Sequence, residues 1–245
     1  MHRSVSRVRC DVFDFIDDVQ RLTTTAGVTD AMRATLGRFG LEFYCFNFLP
    51  DTHQTFADVL LAAHLPNGWL EHYLERQFVH DDPSLRHCRR TLRPYRWFKD
   101  CSYDPEREPR AVEVVQRASE FGLLDGWVIP IATLSSRIGH VWMGGRTTDV
   151  AESDMPSLHL MALYAFDRVR RINPGIVCKK PGLTSREREV LTWVALGKSA
   201  WEIGEILKIS ERTVEWHVEN TCRKLDAVNR TQAIAIALRD RIIQP

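Results

Sequence analysis

The chain contains no C-x-x-C pair. Its six cysteines, at positions 10, 45, 88, 101, 178 and 222, show no spacing that suits a metal site. They read as free thiols of a reducing cytosol rather than as a disulfide framework. No apolar run approaches the roughly 20 residues that a membrane span requires. The N-terminus starts basic with Arg3, Arg7 and Arg9, but Asp11, Asp14, Asp17 and Asp18 interrupt any apolar segment, so no signal peptide is expected. Internal repeats and low-complexity tracts are missing as well, and the net charge is only +1. What remains is a chain of 245 residues, 44% apolar and 27% charged. That is enough for one large domain or two modest ones with a buried core.

The small net charge hides an asymmetry. Residues 1–167 hold 18 basic against 23 acidic residues, whereas residues 168–245 hold 15 against 9. An acidic front and a basic tail suggest two domains, the second facing a polyanion, although charge alone leaves chance segregation equally open. The stretch "RRINPGIVCKKPG" at 170–182, with two prolines, two glycines and four basic residues, reads as the linker between them. The expected boundaries are residues 1–170, a linker at 171–182, and residues 183–245.

Ahead of the linker, helical and strand-like periods alternate. Residues 11–24 and 29–38 read as helices, 41–49 and about 55–63 as strands, and 68–77 as a helix capped by Asn67. A helix at 105–121 ends at Gly122, a C′ glycine. "GWVIPIATL" and "IGHVWMGG" read as strands joined by a turn at Ser135-Ser136-Arg137. A last helix at 154–171 puts Leu158, Met161, Ala162, Ala165 and Val169 on one stripe, which either faces its own sheet or forms a dimer seam. The expected fold is α+β: an α/β/α sandwich around a central, mostly antiparallel sheet, followed by an all-α four-helix domain.

The four C-terminal helices are signalled by their caps. Thr184 with Glu187 forms a capping box, Ser199 and Ser210 cap the next two helices, and Asn229 caps the last. The three-residue break Lys208-Ile209-Ser210 makes the middle pair a helix-turn-helix unit, whose second helix is suited to the major groove. "LTSREREVLTWVALGKSAWEIGEILKISERTVEWHVENTCRKLDAVNRTQAIAIA" closely resembles the DNA-binding domain of LuxR-type transcription factors, with Glu187, Leu191 and Gly197 at positions typical of that family. The resemblance implies that Glu215, Trp216 and Glu219 face base edges and that Thr213, His217, Arg223 and Lys224 lie nearer the backbone. A solvated helix face remains the alternative for the two glutamates. Phosphate affinity then falls to Lys198, Arg212, Arg223, Lys224 and Arg230. The apolar positions of "RTQAIAIAL" suit either domain core or a dimer contact.

One stretch of the front domain, "WLEHYLERQFVHDDP" at 69–83, crowds aromatics, histidines and acids together. Metal binding is excluded by spacing, because adjacent His80, Asp81 and Asp82 point in diverging directions. His72 is expected on the wet face with Glu71, Glu75 and Arg76, opposite Trp69 and Tyr73. A phosphoacceptor domain is excluded too, since Asp17 and Asp18 sit inside a helical period and "HQTFADVL" is no buried strand ending in Asp. No nucleophile or metal constellation supports an enzyme. The spacing Trp69, Tyr73, Asp82-Pro83 and Trp97, with the later "GLLDGWVIP", resembles the acyl-homoserine-lactone-binding domain of the LuxR family. The resemblance implies that Trp69 donates to the lactone carbonyl, Asp82 accepts the amide N–H, Tyr73 donates to the acyl carbonyl and Trp97 covers the lactone ring, with Leu85 in the pocket wall.

Two departures bear on the ligand. Trp142 stands three places after Gly139, where the family often has a small hydroxyl residue, and Leu65 stands where it often has Tyr. Trp142 then shortens the acyl channel, so a short, branched or aryl acyl group is expected. The resemblance implies a cytoplasmic homodimer that binds an inverted repeat in double-stranded DNA, with RNA polymerase as a further partner. It calls for no cofactor besides the signal ligand and no membrane.

Overall fold

A computed structural model of the chain describes residues 2–51, 54–133, 137–148, 150–174 and 182–244, with side chains from Val12 onward. The chain divides into two compact units, one made mainly of residues before the expected linker and the other mainly of residues after it. The strand-joining turn expected at Ser135-Ser136 and most of the expected linker, residues 175–181, lie outside the described residues. No helix among the described residues is long and apolar enough to cross a membrane.

The N-terminal unit is built on five antiparallel strands: β1 (Phe43–Phe48), β2 (Leu60–His64), β3 (Tyr95–Arg96), β4 (Asp125–Ala132) and β5 (Ile138–Gly145). Their order is β2-β1-β5-β4-β3, with β5 at the centre between β1 and β4. Helices α1 (His2–Arg21), α2 (Thr25–Leu36) and α7 (Met155–Ile172) pack together, and α7 lies on one face of the sheet. Phe48 of β1 meets Phe166 of α7 edge to face, with ring centroids 5.3 Å apart. Alternate β1 residues, Cys45 and Asn47, point to the opposite face and are equally buried. Burial on both sides explains why β1 reads as an aromatic run instead of a clean apolar–polar alternation.

The second face is covered by short elements: a helical turn α3 (Phe56–Val59), α4 (Trp69–Glu75) and α5 (Pro83–Cys88). The longer α6 (Pro109–Glu120) is tied to them by the ion pairs Arg76–Glu113 and Arg110–Asp81. Gly122 follows α6 at φ 81°, as a C′ glycine should.

Four readings of the sequence are corrected here. The strand expected at 55–63 begins only at Leu60, because Thr55 and Asp58 form a capping box that winds residues 56–59 into a helical turn. The 68–77 helix is entered through Gly68 at φ 82°, not capped by Asn67. The helix expected from 105 starts at Pro109, which occupies its first turn. The α7 stripe of Leu158, Met161, Ala162, Ala165 and Val169 is fully buried inside its own unit, so it is not a dimer seam.

The C-terminal unit holds α8 (Ser185–Ala195), α9 (Ala200–Leu207), α10 (Glu211–Lys224) and α11 (Arg230–Arg239). All four expected caps are present, on Thr184, Ser199, Ser210 and Asn229. The turn between α9 and α10 passes through Lys208 at φ 53° and closes tightly over Gly204, where a Cβ would lie 2.8 Å from the Ile209 carbonyl oxygen. Val190, Ile203 and Val214 lock α8, α9 and α10 together. Ala233 and Ala237 of α11 join Leu191 and Leu225 in a second cluster, which makes that face of α11 domain core.

Glu187 does two jobs at once. It completes the Thr184 capping box and receives Lys224 Nζ on both carboxylate oxygens, at 2.8 and 2.7 Å. Burial raises its pKa, but the Lys224 bond and the Thr184 backbone and hydroxyl outweigh that and hold the carboxyl below its usual range. Its contribution is therefore full above the ordinary glutamate pKa and lost as pH falls through the lowered value. Glu187→Ala strips the partly exposed Lys224 of its counter-charge, and we expect a loss on the order of 2–4 kcal/mol in the C-terminal unit. Hydrogen exchange of α8 and α10 amides in the full chain measures this, and unchanged protection would show the pair to be dispensable.

Candidate ligand cavity and nucleic-acid interface

The covered face of the sheet holds a partly open cavity. Trp69, Tyr73, Asp82, Leu85, Trp97 and Trp142, all singled out from the sequence, line it together. Trp69 and Tyr73 are buried on the inner side of α4, with their rings 5.7 Å apart in an edge-on arrangement. His72 departs from expectation. It is half-buried, stacks on Phe121 at 5.9 Å, and its Nε2 is buried without a partner. A seven-residue helix wedged between the sheet and α6 leaves only Glu71, Glu75 and Arg76 to solvent.

Asp82 is the N-cap of α5, and Pro83 opens that helix. Its Oδ1 accepts the Ser84 backbone N–H at 2.8 Å, and its Oδ2 accepts the Tyr73 hydroxyl at 2.9 Å. Burial raises the carboxyl to a pKa of about 6, against the opposing pull of the Tyr73 hydroxyl, the Ser84 and Leu85 N–H groups and the Arg86 charge. An ionised carboxylate offers about four acceptor positions, so room remains for a further donor. The neighbouring Asp81 points the other way and pairs with Arg110 at 3.1 Å, which pins α6 beside this segment. Among the described residues no three or more His, Cys, Asp or Glu side chains gather as metal ligands.

The sheet supplies the cavity floor. Trp142 stands opposite Cys45 and Val128 across the central strands, and it packs edge-on against Trp97 with centroids 4.8 Å apart. Its indole lies over the backbone of Gly126 and Gly144. A Cβ at Gly126 would lie 3.1 Å from the indole nitrogen, and one at Gly144 would lie 2.7 Å from the ring. Gly126, the second glycine of "GLLDGWVIP", thus leaves room for the Met143 carbonyl oxygen and for the Trp142 indole.

Asn47 and His140 are among the cavity residues not picked out from the sequence. They are cross-strand partners on β1 and β5, both buried, and His140 Nδ1 meets Asn47 Oδ1 at 2.9 Å. The available signal was a polar residue in each of two otherwise apolar strands, on the face opposite the α7 contact.

In the C-terminal unit, Arg212, Glu215, Trp216, Glu219, Arg223 and Arg230 are exposed, whereas Thr213 and His217 are half-buried. Glu215 and Glu219 border one recess with Lys198 and Arg230, so acids and bases share that surface. Lys198 itself pairs with Glu202 at 2.9 Å. Lys224, expected near phosphate, pairs with Glu187 at 2.7 Å. It is itself exposed and bridges α10 to α8.

Comparison with known proteins agrees with this geometry. Residues 24–169 match the family described as autoinducer binding domain, and residues 181–237 match bacterial regulatory proteins, luxR family. The chain is 41% identical to the transcriptional activator protein BjaR1 of Bradyrhizobium diazoefficiens, over 96% of this chain and 97% of that protein. It is 36% identical to the quorum sensing-dependent transcriptional regulator RpaR of Rhodopseudomonas palustris, over 92% and 91%. The crystal structure of Escherichia coli SdiA shares the fold with a TM-score of 0.77 and 23% identity, over 98% of this chain and 99% of that one.

The raised pKa of Asp82 has a definite sign. The folded unit binds this proton more tightly than the unfolded chain, so stability falls as pH rises from the ordinary aspartate value through about 6. Asp82→Asn keeps the cap acceptor and removes the charge. We expect the variant to lack the wild-type loss between pH 4 and 7, a difference on the order of 2 kcal/mol. Denaturant unfolding of both chains, followed by tryptophan fluorescence, measures it. Parallel pH curves would contradict the assignment.

Proposed function

Since the chain belongs to the LuxR family of autoinducer-binding bacterial transcriptional regulators, we propose that its signal is an acyl-homoserine lactone with a short, branched or aryl acyl group. The observation that carries this reading is the buried Tyr73–Asp82 pair at the wall of an aromatic cavity. A lactone amide buried unpaired would lose roughly 1–3 kcal/mol per polar group. Asp82 takes the ligand's amide N–H, and the Tyr73 hydroxyl turns from Asp82 to the acyl carbonyl. Trp69 donates to the lactone carbonyl, Trp97 covers the ring, Leu85 is apolar wall, and Trp142 limits the acyl group. The added donor favours ionised Asp82 and so offsets the cost of its burial. Ligand binding thereby stabilises the ordered N-terminal unit by mass action.

On this reading residues 1–170 bind ligand and dimerise, 171–182 link, and 183–245 bind an inverted repeat in double-stranded DNA, in the cytoplasm. Dimerisation by the front unit is supported by Phe13, Leu160 and Leu163, large apolar side chains that α1 and α7 leave exposed. Exposed Trp216, Glu215 and Glu219 read base edges, with a carboxylate suited to a cytosine amine. Thr213 and His217 lie at the backbone. Arg212, Arg223, Arg230 and Lys198 supply phosphate contacts, and Lys224 contributes by holding α10 in place. RNA polymerase is the further partner. The names of BjaR1 and RpaR, a transcriptional activator and a quorum sensing-dependent regulator, favour the same role.

A reporter strain dosed with homoserine lactones of straight, branched and aryl acyl groups tests this. The strongest response is expected from branched, aryl or straight groups of about six carbons or fewer, because Trp142 fills the floor where a small hydroxyl residue would leave space. Asp82→Ala should silence the response. A best response to dodecanoyl chains would remove the acyl-length reading, and an unaltered response in Asp82→Ala would remove the pocket assignment.

A further inference from the structure

His140 is 5% exposed, lines the cavity, and has no hydrogen-bond partner at Nε2. The protonation of its ring follows from its neighbours. Asn47 Nδ2 donates to the Phe48 carbonyl at 2.9 Å, which leaves Asn47 Oδ1 as the atom facing His140 Nδ1. Because that oxygen only accepts, Nδ1 carries the hydrogen. Burial lowers the His140 pKa to about 3, so the ring is neutral and Nε2 is a bare lone pair. A buried acceptor left without a donor is costly, and native structures rarely tolerate one without a reason.

The position of this acceptor matters. Trp142 and His140 point to the same side of β5 and stand two residues apart, about 7 Å along the strand. Trp142 packs on Trp97, and His140 lies on the side of Trp142 away from the β4–β3 end that carries Trp97. If the lactone ring lies under Trp97, Nε2 faces the remote part of the acyl group. Phe56, Leu65 and Leu70 add apolar wall to the same cavity, and no protein group donates to Nε2; the Trp142 indole nitrogen, also buried there, has no hydrogen-bond partner either.

We propose that His140, oriented by Asn47, is a specificity-determining acceptor, and that the acyl group of the signal carries a hydrogen-bond donor, a hydroxyl in its outer part. This rests on the lactone reading above and narrows it from a short, branched or aryl group to a donor-bearing one. The hydroxyl donates to His140 Nε2 and exchanges its lost hydration for a buried bond. An unsubstituted acyl group leaves Nε2 unpaired.

Calorimetric titration of the full-length chain with matched pairs of lactones tests the proposal. The probes are hexanoyl against 6-hydroxyhexanoyl, and 3-phenylpropanoyl against 3-(4-hydroxyphenyl)propanoyl homoserine lactone. At least one hydroxylated member should bind wild type about tenfold more tightly than its partner. In His140→Phe that preference should vanish or reverse, with the unsubstituted member still bound. The wild-type comparison stands even where the variant fails to fold. If lactones bind and no hydroxyl improves affinity, the His140 proposal falls and the lactone reading survives. If no lactone of either kind binds, both fall.

Discussion

A carboxylate buried beneath aromatic rings must be hydrogen-bonded by whatever surrounds it, and the covered face of the N-terminal sheet is arranged around how Asp82 meets that demand. Its one oxygen caps α5 and its other receives Tyr73 of α4, so a single side chain fixes the relation of the two short helices. Neither helix is long enough to hold its place by its own backbone bonds. Arg110 fastens the adjoining Asp81 to α6 from outside. The arrangement still leaves the carboxyl harder to ionise than in water, with a pKa of about 6. A ligand bringing one more N–H relieves that cost, which couples recognition to stability through the same atoms.

The C-terminal unit solves a related problem with protein groups alone. Buried Glu187 meets the α8 N-terminus on one side and Lys224 of α10 on the other. Both Glu187 oxygens thus find partners within the unit itself. Gly204 and the left-handed Lys208 set the angle at which α10 is presented.

Much of this was legible in the sequence because it rested on local rules. Caps at Thr184, Ser199, Ser210 and Asn229 announce themselves by residue type and spacing, and Trp69 and Tyr73 share a face by helical period alone. What was not legible depended on tertiary packing. The α7 stripe is apolar whether it meets its own sheet or a partner, and only its complete burial separates the two. His72 reads as a wet-face residue until Phe121, forty-nine positions later, is seen to stack on it. The pairing of Lys224 with Glu187, thirty-seven positions earlier, appears only once α8 and α10 pack together. The helix α5 and strand β3 are too short to carry a period. Asn47 and His140 lie ninety-three residues apart, and only strand register brings them together.

The central claim is that the Trp69–Tyr73–Asp82 wall is completed by a lactone amide. Native mass spectrometry of the chain purified from cells fed a mixture of acyl-homoserine lactones tests it most directly. The account predicts one lactone per chain in wild type and none in Asp82→Ala. A wild-type chain that emerges empty, or an Asp82→Ala chain that retains the lactone, would contradict it.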